Sequence, residues 1–75
     1  MKILPVNLAI YDYAKKRGLA KKLAKRIKLL GLNIRHPSLN VELLEPKHLR
    51  IYSFRVDKKY RALFIFREML VIEIL

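Results

Sequence analysis

No cysteine occurs among the 75 residues of this chain, and that one absence removes several kinds of chemistry. Disulfides, thiolate nucleophiles and cysteine-ligated zinc are all excluded. The absence fits a reducing cytoplasm, which is the expected location. Long hydrophobic runs are missing too: nothing approaches the roughly 18 apolar residues that span a bilayer. The opening MKILPVNLAI carries one lysine and a short apolar stretch broken by Pro5 and Asn7. That stretch is too short for a secretory leader, so a soluble protein is expected. Seventy-five residues make one domain, 1–75, with no room for a second core. A core this small supplies only about 3–5 kcal/mol.

Acidic residues are few, six against seventeen Lys and Arg, for a net charge of +11. The excess is unevenly placed. Residues 1–35 hold ten cations and one acid, Asp12, whereas residues 36–75 hold seven cations and five acids. Such a field attracts polyanions and speeds their encounter, whether the target is RNA, DNA or an acidic protein. It is equally the mark of a lysine-rich solvated surface.

The chain changes rhythm near residue 35. Residues 1–6 read as a short strand. Asn7 can cap a helix running to about Arg17, with Gly18 as its stop. A second helix is predicted over residues 19–30, where Leu19, Leu23, Ile27 and Leu30 draw a single apolar stripe. Lys21, Lys22, Lys25 and Lys28 lie largely off it, and Gly31 reads as a C-terminal cap. A turn region follows at 33–38, then strand-like runs at 41–44, 48–56, 60–66 and 69–75. Tyr52, Phe54 and Val56 share one face of their run, with Ile51, Ser53 and Arg55 on the other. Likewise Tyr60, Ala62, Phe64 and Phe66 oppose Arg61, Leu63, Ile65 and Arg67. Residues 57–59 form a loop of three to four residues rather than the tightest hairpin turn. Successive short strands imply an antiparallel meander, and only the helical hairpin can cover its apolar face. The expected order is β-α-α-β-β-β-β, an α+β domain.

The run HPSLNVELLEPKHLRIYSFRVDKKYRALFIF, residues 36–66, resembles the RelE/ParE superfamily of toxin–antitoxin systems. In that family a helical hairpin ends in a turn of the type H-P-S-L, here residues 36–39. A strand of the type Y-S-F-R-V-D follows, here 52–57, and then K-Y-R-A-x-F, here 59–64. The resemblance covers about thirty residues in detail and nearly the whole chain in architecture. It implies the RelE-like fold and a cognate antitoxin as partner. The activity it implies is ribosome-dependent cleavage of mRNA. Two other readings stay open: a ParE-like inhibitor of gyrase that cuts nothing, and an attenuated or inactive relative.

Cleavage of RNA without metal or cofactor needs a base for the ribose 2′-hydroxyl, cations for the developing charge, and an acid for the leaving oxygen. Arg61 is the foremost candidate. It begins a strand, lies opposite the core residues, and its fork suits phosphate oxygens; it also matches the arginine with which the family's nucleases hold phosphate. Arg55 shares that outward face and could approach Arg61 across adjacent strands, while Ser53 stands where other members carry a cation. Glu42, ten residues before Tyr52, falls where certain relatives place a general-base glutamate; alone it reads as an exposed strand residue. Lys21, Lys22, Lys25, Arg26 and Lys28 read either as a grip on ribosomal RNA phosphates or as a solvated helix face. His36 reads as a turn residue, His48 matches no catalytic position, and Tyr52 and Tyr60 read as packing residues. Active members usually continue into a tail that brings His, Arg or Tyr to the site, and no such residue is expected after VIEIL.

Overall fold

The computed structural model describes residues 1–75. In chain order it contains β1 (Lys2–Ile3), α1 (Leu8–Lys16), α2 (Ala20–Leu32), β2 (Glu42–Leu43), β3 (Tyr52–Arg55), β4 (Arg61–Glu68) and β5 (Val71–Ile74), with 3-10 turns at Pro37–Leu39 and Lys47–Leu49. The expected α+β order is therefore present. The five strands form one sheet in the order β1-β5-β4-β3-β2. Strands β2 to β5 make the antiparallel meander, whereas β1 joins β5 in parallel, with Lys2 opposite Val71 and Ile3 opposite Ile72. The sheet is thus mixed, because the helical hairpin returns the chain to the far side of the sheet before the meander begins.

Local chemistry sets both ends of α1. The Asn7 carboxamide oxygen accepts from the Ala9 amide at 2.8 Å, satisfying one of the donors that a helix start leaves free. Gly18 ends the helix at φ +68°, a left-handed conformation that costs glycine little. The stripe on α2 packs as its spacing requires: Leu19, Leu23, Ile27 and Leu30 are all buried. They meet Leu39, Phe54, Val56, Phe64, Ile72 and Ile74 in a single core, completed by Ala14 of α1. Each such apolar side chain contributes about 1.5–3 kcal/mol.

Three expectations are corrected. Gly31 is not a cap, since α2 continues to Leu32; its role is close packing. A Cβ there would lie 3.3 Å from Ile3 Cγ1 and 3.4 Å from the Met1 carbonyl oxygen, and the N-terminal ammonium donates to the Gly31 carbonyl at 3.1 Å. The run at 48–56 is not one strand: residues 47–49 make a 3-10 turn before β3 starts at Tyr52. Phe66, expected on the core face, is 38% exposed and lines a surface concavity with Ile34, His36 and Tyr52. It still packs edge-on against Tyr52 and Phe64. A register shift between Phe66 and Glu68 makes a bulge at this end of β4.

Candidate active site

The helices cover one face of the sheet and leave the other open. Pairing register decides what gathers there. Glu42 lies opposite Ser53, Ser53 opposite Leu63, and Arg55 opposite Arg61. Since side chains alternate along a strand, these residues share the face that the helices do not cover.

Arg61 does not stand out into solvent. Its side chain crosses β3 toward β2, and Nε donates to the Ser53 hydroxyl at 3.0 Å. Nη2 donates to the backbone carbonyl of Asn40, with a longer contact of 3.4 Å to the Ser53 carbonyl. The Glu42 carboxylate lies 3.9 Å from the same Nη2. Asn40 follows the Pro37–Leu39 turn at φ 43°, a left-handed conformation that asparagine tolerates better than most residues. The turn itself is closed by His36, whose Nδ1 accepts from the Ser38 amide at 3.2 Å and lies 2.8 Å from the Ser38 hydroxyl. His36 thus has the turn position that the sequence suggests.

Of the three residues expected to be catalytic, the fold brings two together. Arg61 and Glu42 form an anion-and-cation pair over Ser53. Arg55 lies opposite Arg61 in register but joins neither of them in a pair; with Lys22, Lys25, Arg26, Asp57 and Lys58 it lines a cleft of about 500 Å³ between α2 and the β3–β4 connection. Within this basic cleft Lys22 pairs with Asp57 at 3.9 Å, and Arg26 Nη1 donates to the Ser38 carbonyl at 3.2 Å. The amides of Lys59 and Tyr60 both donate to Asp57 Oδ1 at 2.8 Å. These two bonds, the Lys59 bond first, hold the Asp57 carboxyl below the usual carboxylate range. Lys21, Lys22, Lys25 and Lys28 are exposed on α2. His48 lies in the second 3-10 turn, away from the pair.

Sequence reasoning misses two participants. Ser53 reads as the replacement of a cation, yet it is the buried polar side chain of the molecule, 2% exposed. Asn40 contributes only its backbone oxygen, which no side-chain motif announces. A second concavity, about 550 Å³, separates α1 from the sheet. It is largely apolar, lined among others by Ile10, Tyr13, Leu19, Leu23, Val56 and Leu75. No group of His, Asp or Glu is placed to hold a metal ion, and no helix is long and apolar enough to cross a membrane.

Neither protein-family models nor curated proteins yield a sequence match to this chain. Solved structures do. The chain superposes on the heterotetrameric YoeB-YefM toxin–antitoxin complex from Staphylococcus aureus with a TM-score of 0.68 at 20% identity, over 97% of this chain and 86% of that one. A YoeB dimer from Staphylococcus aureus gives a TM-score of 0.63 at 20% identity, with the same coverage. The two helices and five-stranded sheet of this chain therefore have the YoeB/RelE-like α+β fold.

Proposed function

We propose that the chain is the toxin of a toxin–antitoxin system and that it cleaves mRNA on the ribosome. The observation that carries this reading is the Arg61–Glu42 pair on the open sheet face, with the carboxylate 3.9 Å from the guanidinium. In-line cleavage needs a base and a cation within reach of one phosphodiester. Glu42 takes the proton of the ribose 2′-hydroxyl. The 2′ oxygen then bonds to phosphorus, the bond from phosphorus to the 5′ oxygen breaks, and that oxygen leaves with a proton from water. Arg61 Nη1, which has no partner within the chain, stabilises the negative charge that builds on the phosphoryl oxygens. The exposed lysines of α2 and the basic cleft supply a track for ribosomal or messenger phosphates.

The apolar groove beside α1 supports the second half of the proposal, an antitoxin partner. A basic protein with an unfilled apolar groove suits a partner segment that is amphipathic and acidic. The structural neighbour captured as YoeB with YefM agrees with this.

Reconstituted translation of a defined message, with mapping of new RNA ends, tests the reading. New ends that require the ribosome and vanish with Arg61→Ala are expected. An intact message, with gyrase supercoiling blocked by the same protein, would replace the nuclease by a gyrase inhibitor.

A further inference from the structure

We infer that Ser53 and the Asn40 carbonyl form an anchor that fixes the guanidinium of Arg61, with Ser53 as a positioning residue for cleavage. The inference rests on the proposed nuclease function and adds two groups to its site.

Burial is the first observation. Ser53 lies on the uncovered side of the sheet, yet it is 2% exposed. No helix shields it. It lies between Glu42 and Leu63 in register, and its hydroxyl accepts from Nε of Arg61, whose side chain is itself 30% exposed. A hydroxyl so placed must find a partner or lose free energy, and the partner here is the proposed phosphate ligand.

Direction is the second. An arginine has five donors in a planar fork. Ser53 takes Nε, while the Asn40 carbonyl, the Ser53 carbonyl and Glu42 surround Nη2. Both N–H groups of Nη1 are left without a partner in the chain. The anchor therefore consumes one edge of the fork and presents the opposite end to an incoming oxyanion. A free arginine on a strand samples many rotamers and must be ordered at the moment of reaction. This one is ordered beforehand, which is the condition under which an electrostatic group lowers a barrier most.

Register is the third. Ser53 lies directly opposite Glu42 on one side and Leu63 on the other. The residue that anchors the cation thus also sits beside the proposed base. The separation of Glu42 and Arg61 follows from the pairing of β2, β3 and β4 rather than from flexible side chains meeting by chance.

The test compares Ser53→Ala, Ser53→Thr and Ser53→Cys in the full-length chain, with two readouts. The first is the ¹⁵N NMR signal of Arg61 Nε–H and its exchange with water. Wild-type and Ser53→Thr proteins should show a resolved, slowly exchanging signal, and Ser53→Ala should lose that protection. The second is cleavage on the ribosome: kcat should fall about ten- to a hundredfold in Ser53→Ala with KM within about twofold, as expected for a misplaced reacting group. Ser53→Thr, which keeps the hydroxyl, should restore it. Should Ser53→Ala fail to fold, Ser53→Cys keeps the volume but offers only a weak acceptor, and the same effects are expected. Unchanged Nε–H protection in both hydroxyl-deleted variants, or a rise in KM with kcat intact, overturns the anchor. If the wild-type protein cuts no message, the nuclease reading falls, while the NMR comparison still decides whether the anchor exists.

Discussion

Arg55 and Arg61 face each other in register across β3 and β4, yet the chain holds only one of them. Arg61 is bound to Ser53 and Asn40, whereas Arg55 lines the cleft that the cations of α2 also line. Two residues with the same charge on paired positions thus have different surroundings.

Their substitutions should separate accordingly. Arg61→Ala should abolish growth arrest and message cleavage while leaving far-UV circular dichroism unchanged. Arg61→Lys should fail nearly as badly, since an ammonium cannot bond Ser53 and Asn40 and still offer a second donor pair. Arg55→Ala should instead raise KM with little change in kcat. Steady-state cleavage in reconstituted translation measures all three. Equal kcat decreases for Arg55→Ala and Arg61→Ala would put both in the reacting centre.

The exposed cations of α2 predict a salt effect. A Lys21→Glu, Lys25→Glu, Lys28→Glu triple variant should bind ribosomes more weakly. The slope of log affinity against log salt should flatten by about 0.7–0.9 for every phosphate that the variant no longer neutralises. Lys22 is omitted because it pairs with Asp57. A slope unchanged from wild type would make this face solvent cover alone.

Asp57 predicts an acid-sensitive loop. Its folded pKa lies below the ordinary value because two backbone amides donate to it. The contribution of those bonds is complete above the usual carboxylate range and is lost as pH falls through the lowered folded value. The Lys59 and Tyr60 amide resonances should therefore shift at a pH below the normal range for aspartate. Asp57→Asn keeps the acceptor without the titration, so both resonances should stay flat. Titration within the ordinary range would argue against the two bonds.

Gly31 predicts a packing limit. Alanine there gains about 1 kcal/mol of helix propensity but meets Ile3 and Met1, so the net change in urea unfolding should stay within about 1 kcal/mol. Gly31→Leu cannot be absorbed and should cost about 1–3 kcal/mol, the usual range for overpacking. The amides of Lys2 and Leu4, which bond to Leu70 and Ile72, should exchange faster in that variant. Unchanged stability of Gly31→Leu would mean that β1 moves freely.

Much of the fold is legible because local signals agree with the tertiary result. Asn7 and Gly18 mark the ends of α1 by their own backbone chemistry, and the leucine stripe of α2 needs only helical spacing to be read. Gly31 misleads because a cap and a close approach call for the same residue, and only the position of Ile3 decides between them. Arg61 and Glu42 come from family resemblance, and their meeting over Ser53 needs the register of three strands. Ser53 is opaque for a deeper reason: its hydroxyl is engaged by an arginine eight residues away. The different bonding of Arg55 and Arg61 is hidden likewise, because register places backbones and leaves hydrogen-bond partners to the surroundings.

The parallel pairing of β1 with β5 has a consequence in time. Lys2 and Ile3 find their partners only in residues 71 and 72, so the earliest-made segment of the sheet waits for nearly the last. Pairings of such sequence separation are among the slowest kinds to form. During synthesis α1, α2 and the β3–β4 hairpin have their partners early, while β1 and the N-terminal ammonium cannot complete the sheet until β5 has emerged. A protein proposed to act during translation thus joins the first strand of its sheet to the last.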